Sequence, residues 1–141
     1  MEKLKLDLVQ LNNALKTLND SFSILQEAEE MKHQGFIDAA KDSIIQRFEY
    51  SYERFWKFLK KYLELVYHIE DMHSSRRVFH AVVKIEVCTS DEGDIFLDMA
   101  DDRNETSHTY SVEASRVVLT DIPRYYSAMI IVVQRLNSKF E

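Results

Sequence analysis

Residues 4–25 read Leu-Lys-Leu-Asp-Leu-Val-Gln-Leu-Asn-Asn-Ala-Leu-Lys-Thr-Leu-Asn-Asp-Ser-Phe-Ser-Ile-Leu. Leu4, Leu8, Leu11, Leu15, Leu18, Phe22 and Leu25 fall at alternating steps of four and three. That spacing places one apolar seam along a helix and predicts a first helix over about residues 3–32. A parallel coiled coil has the same seam, but the rest of this chain supplies other amphipathic partners for it.

Gly35 reads as the stop of that helix. Beyond it, Ile45, Phe48, Tyr52, Phe55, Leu59, Tyr62 and Val66 share one face of a second helix over about 37–68. Tyr50, Trp56, Phe58 and Tyr67 widen the stripe beyond what one neighbour covers, so a second packing surface is expected. Ser74 or Ser75 caps a short third helix carrying Val78, Phe79, Val82, Val83 and Ile85, a β-branched run that also suits a strand. Thr89 with Glu92 forms a capping box for a fourth helix. Ser111 caps a last helix, in which Pro123 predicts a kink or a short break near Thr120–Ile122. Tyr126, Met129, Ile130, Val133 and Leu136 continue its apolar face. The expected fold is all-α, a four-helix up-and-down bundle with one or two additional short helices, in a single domain spanning 1–141.

Composition narrows the function. The 141 residues carry two glycines and one proline, which favours long helices over loops. The lone cysteine, Cys88, excludes an internal disulfide and fits a reducing cytoplasm. The opening residues do not read as a signal peptide, and no apolar run is long enough for a membrane helix. The net charge of −6 argues against a general nucleic-acid binder. The charge is unevenly spread, however. Residues 41–61 hold six Lys/Arg against three Asp/Glu, whereas residues 91–105 hold seven acids against Arg103 alone. No glycine-rich phosphate loop occurs, nor a Gly-Ser motif with paired aspartates. The chain is therefore not expected to transfer nucleotides itself, and no cofactor is implied.

The chemistry concentrates in 94–110, Asp-Ile-Phe-Leu-Asp-Met-Ala-Asp-Asp-Arg-Asn-Glu-Thr-Ser-His-Thr-Tyr. At about 100° per residue, Arg103 falls inside the apolar arc of Ile95, Phe96, Met99 and Ala100. A cation there needs a partner or an interface, because an unpaired buried charge is costly. Its plain role is an ion pair with Asp102 or with an acid of a partner chain. Asn104 and His108 are four apart and share a side, whereas Arg103 and His108 lie roughly 140° apart around the axis. One straight helix cannot aim both at a single atom. Either the helix ends at His108 or a second copy of the chain completes the site. Asp94, Asp98, Asp101 and Glu105 form an acidic stripe that leads to His108. Carboxylates on consecutive turns are ordinarily a solvated face, and no metal site is read here. They disfavour an approaching phosphate backbone and favour protonated His108. On the second helix Arg54, Lys57, Lys60 and Lys61 make a basic patch. Lys57 and Lys61 are the candidate substrate-binding residues, for a nucleotide phosphate or RNA.

Ile45–Leu63 and Asp102–Tyr110 resemble the nucleotidyltransferase substrate-binding proteins of the HEPN superfamily, close to the HepT toxins. The likeness spans nearly the whole chain in the same helix order. Arg103, His108 and Tyr110 match the HEPN signature Arg-x4-His-x-Tyr, with Asn104 as the polar residue after the arginine. The resemblance implies a homodimer built on the motif helices. It also implies a separate partner, a minimal nucleotidyltransferase (MNT), to which this chain is the substrate-binding or HepT-like subunit. In a toxin–antitoxin pair of that kind the partner adds AMP to the motif tyrosine, here Tyr110. The alternative implied is a metal-independent ribonuclease. Its composite site at the dimer interface would use His108 as acid and base, Arg103 for the phosphorane charge and Asn104 for orientation. Two positions and one loop depart from the family pattern. Arg77 stands where an acid is anticipated, Phe96 where a tryptophan is, and residues 85–91 lack a glycine.

Overall fold

The computed structural model describes residues 2–108 and 112–140, and the side chains of all of these except 105–108 and 112–115. Five helices follow in order: α1 (Glu2–Met31), α2 (Gln34–Tyr67), α3 (Ser75–Lys84), α4 (Ser90–His108) and α5 (Val112–Asn137). A single 3-10 turn, Ser138–Phe140, closes the chain. No strand occurs among the described residues. The β-branched run in α3 is helical because Val78, Phe79 and Val82 share one buried face, which outweighs local propensity.

The seam of α1 is the most enclosed part of the molecule. Leu4, Leu11, Leu15 and Leu18 are fully buried, and Phe22 and Leu25 pack at its edge. Only Lys32 and His33 separate α1 from α2, so the two helices, packed along their length, run antiparallel. The turn corrects the reading of Gly35 as a stop. Lys32 takes the left-handed backbone at φ 56°, and the His33 ring caps α2 by accepting from the Phe36 N–H at 3.2 Å. Gly35 lies in the first turn of α2, where a Cβ would come within 3.1 Å of His33 Cε1. Its bareness leaves room for the capping ring.

The wide aromatic stripe of α2 does find more than one neighbour. Phe48 stacks on Tyr125 of α5 at 5.9 Å, while Phe55 meets Phe96 of α4 at 4.9 Å and Phe79 of α3 at 6.2 Å. Phe96, where the family pattern anticipates a tryptophan, is thus enclosed between two rings. Two of the three predicted N-caps are present. The Ser74 hydroxyl accepts from the Arg77 N–H, and the Thr89–Glu92 box exchanges bonds of 2.8 and 3.1 Å. The glycine missing from 85–91 has a substitute, because Glu86 adopts φ 65° and lets the Val87 and Cys88 N–H groups reach the Val82 carbonyl. The break expected near Thr120–Ile122 is absent. Pro123 sits inside an unbroken α5, held on both sides by buried Val118, Ile122, Tyr125 and Ala128. Packing there offsets the missing backbone donor. The cap proposed for Ser111 lies outside the described residues.

Candidate functional site

Arg103 follows the buried Met99–Ala100 pair on α4 by one turn. Its side chain is 24% exposed, and Nη2 lies 3.5 Å from Glu53 Oε1 of α2. The guanidinium also sits 5.9 Å from the ring of Tyr52, whose hydroxyl donates to Ser75 Oγ at 2.5 Å. Burial holds the Tyr52 hydroxyl above its ordinary pKa, with the Glu53 carboxylate adding to the shift. Of the two partners expected for Arg103, Asp102 or an acid of a partner chain, the ion pair with Glu53 replaces the first. Asp102 faces α5 and accepts from the Tyr125 hydroxyl at 2.5 Å. Burial, reinforced by neighbouring Asp121, keeps its carboxyl above the usual range. Adjacent residues on a helix point about 100° apart, so Arg103 and Asp102 serve opposite neighbours.

Asn104 is exposed at the same end of α4. The helix extends through His108, so the Arg103 and His108 positions keep their separation of roughly 140° around the axis. The His108 side chain and the whole of Tyr110 lie outside the described residues. The acidic stripe is partly neutralised from within the chain. Arg76 of α3 binds Asp101, and Arg124 of α5 lies 3.5 Å from Asp98. Arg77, where an acid was anticipated, is exposed on α3.

Glu53 is the residue of this site that sequence reasoning missed. Besides Arg103 it holds two neighbours on α2: Oε2 accepts from Trp56 Nε1 at 3.3 Å and lies 3.3 Å from Lys57 Nζ. The α2 contacts are readable from helical spacing. The contact with Arg103, fifty residues away, is tertiary and left no local signal.

Through Glu53 the arginine adjoins a groove of about 570 Å³ on the outer side of α2. Tyr50, Trp56 and Phe58 supply its aromatic lining and Arg54, Lys57, Lys60 and Lys61 its cations, with Asp7 of α1 and Glu64 opposite. Lys57 and Lys61, the two nominated cations, both line it and both have carboxylate partners. Lys57 has Glu53, and Lys61 lies 2.8 Å from Asp7. Arg54 is held by neutral groups, Gln10 Oε1 at 2.6 Å and the Tyr50 hydroxyl at 3.1 Å. Among the described residues Lys60 is in no ion pair, and no group of three or more His, Cys, Asp or Glu is placed to hold a metal ion.

Residues 6–138 match the family described as nucleotidyltransferase substrate binding protein like. A crystal structure of a protein from Thermus thermophilus is 30% identical, with a TM-score of 0.73 over 89% of this chain and 98% of that one. The tri-AMPylated HEPN toxin of Shewanella oneidensis, solved in complex with its MNT antitoxin, is 13% identical. It superposes with a TM-score of 0.75 over 96% of both chains. No curated protein matches the sequence.

Proposed function

This chain belongs to the nucleotidyltransferase substrate-binding protein-like family, and on that premise we propose that it is the non-catalytic partner subunit of a separate minimal nucleotidyltransferase. In that role it either presents a substrate at the α2 groove, with Lys57 and Lys61 among the contacts, or is itself modified with AMP on Tyr110. The observation that carries the reading is the family match across 6–138. The fold shared with a HEPN toxin held by an MNT antitoxin supports the same type of partner. The subunit acts as a homodimer in the cytoplasm. No helix of the described residues is long and apolar enough to cross a membrane.

Co-expression with a minimal nucleotidyltransferase from the same gene neighbourhood tests the partnership. The two chains should co-purify, and failure to associate at micromolar concentration overturns the reading. Incubating the pair with ATP and weighing this chain tests modification. An AMP-sized mass gain that disappears in Tyr110→Phe assigns the acceptor, whereas an unmodified chain leaves substrate presentation as the role.

A second reading, a metal-independent ribonuclease, draws on Arg103, which is three-quarters buried at the α2–α4 seam. The angular separation from His108 requires the second subunit's histidine to complete such a site, with Asn104 beside it. Glu53 weighs against this reading, since it lies 3.5 Å from one nitrogen of the guanidinium and would compete with a scissile phosphate for it. Under the ribonuclease reading, expression of the chain alone should arrest growth and His108→Ala relieve it. Absence of arrest, with no RNA cleaved by the pure protein, removes this alternative.

A further inference from the structure

We propose that the α2 groove binds a planar phosphorylated ligand of the mononucleotide type, its ring against the Trp56–Tyr50 wall and its phosphate between Arg54 and Lys60. The inference rests on the substrate-presenting reading above and names the class of ligand presented.

The charge arrangement selects an anion. The chain as a whole carries −6, yet this groove gathers four cations against Asp7, Glu53 and Glu64. The pairing within it is uneven. Lys57 and Lys61 are satisfied by carboxylates, while Arg54 has only neutral partners and Lys60, half-buried in the wall, has no ion pair among the described residues. A partly desolvated cation outside any ion pair is stabilised by an incoming anion. Arg54 uses Nε and Nη1 on Tyr50 and Gln10, so its fork is already oriented with Nη2 donors uncommitted. Those donors suit a phosphate oxygen.

The aromatic lining selects a ring beside that charge. Tyr50 is half exposed and Trp56 partly so, and both line the groove. Aromatic faces beside cations favour planar, electron-rich rings. A volume of about 570 Å³ lies within the roughly 300–1,000 Å³ of small-molecule sites. A nucleic-acid strand is a poor fit, because a polyanion needs a track of cations, and three carboxylates, Asp7, Glu53 and Glu64, share this lining.

The test uses the full chain, with AMP, adenosine and inorganic phosphate as probes, by equilibrium dialysis alongside Trp56 fluorescence. Trp56 is the sole tryptophan, and its Nε1 donates to Glu53 at the groove. AMP should bind saturably below millimolar concentration, with adenosine and phosphate each weaker by roughly tenfold or more. Arg54→Ala/Lys60→Ala should cost AMP about tenfold or more, with helical circular dichroism and a cooperative melt retained although the Arg54–Gln10 tie is lost. Absence of saturable AMP binding by dialysis, equal binding of adenosine, or full affinity in the double variant overturns the proposal. The double variant should still co-purify with the nucleotidyltransferase. A wild-type chain that binds AMP but no nucleotidyltransferase overturns the partner reading and leaves the groove assignment standing.

Discussion

Gly93 sits in the first turn of α4, against α3. A Cβ there would fall 2.4 Å from Val83 Cγ2, on a β-branched side chain with little rotamer freedom. Gly93→Ala brings two opposed effects. It gains roughly 1 kcal/mol of helix propensity, and it forces an overpacked contact that costs about 1–3 kcal/mol. The expected outcome is net destabilisation of up to about 2 kcal/mol in urea unfolding. Removing the obstacle should reverse the sign, so that in a Val83→Ala background Gly93→Ala stabilises by up to about 1 kcal/mol. A loss of equal size in both backgrounds would show that the contact with Val83 is not the cause. At this scale sequence reading was uneven. Arg103 was legible as a cation within an apolar arc, because helical geometry alone places it there. Glu53, its partner, was not, because nothing in the spacing of α2 announces which residue meets α4. Gly93 was likewise opaque, since its role is a distance to another helix.

Among elements, the start of α4 is fastened twice. The Thr89–Glu92 box was readable from its spacing; the second fastening, by Arg135 of α5, was not. Arg135 grips Glu92 through both oxygens, at 3.0 and 2.7 Å, and also reaches the Val87 carbonyl at 2.9 Å. The Arg135 guanidinium holds the Glu92 carboxyl below its usual range despite burial. The folded chain therefore binds that proton more weakly than the unfolded chain. The stabilisation is complete above the ordinary carboxylate pKa of about 4.3 and disappears as pH falls through the lower folded value. Glu92→Gln should cost roughly 1–2 kcal/mol at pH 7, with the deficit against wild type shrinking as the pH drops below about 4. A deficit independent of pH would assign the loss to packing instead. The end of α3 offers a change in the other direction. Glu86 occupies a left-handed position at φ 65°, a strain of about 1 kcal/mol for a residue with a Cβ. Glu86→Gly should raise the denaturation midpoint, with a stability gain of up to about 1 kcal/mol after the entropy of the unfolded glycine is counted. An unchanged or lowered midpoint would mean that the Glu86 side chain has a role of its own.

For the molecule as a whole, α2 is the element that the others share. Phe48 joins it to α5, Phe55 joins it to α3 and α4, and the seam of α1 closes its remaining side. The excess width of its aromatic stripe was the sequence's signal of this. The partners of each ring were not legible, since several helices offered equivalent apolar faces. All five helices contribute to one continuous buried cluster, so none has a core of its own to survive on. Unfolding should therefore be a single cooperative transition. Cys88 and Trp56 make this testable from two sides. Burial pushes the Cys88 thiol up to about 12, and it lies 3% exposed at the α3–α4 junction. It should stay unreactive to thiol reagents near pH 8 until the chain opens, because the thiolate is the attacking species. Trp56 reports the α2 groove. In a urea series the onset of Cys88 labelling, the shift in Trp56 emission and the loss of helical circular dichroism should share one midpoint. Labelling of Cys88 well before the Trp56 transition would mean that α3 and α4 detach from a persisting α1–α2 hairpin. Arg103 would then leave Glu53 while the groove survived, and the two candidate sites would belong to separable parts of the protein.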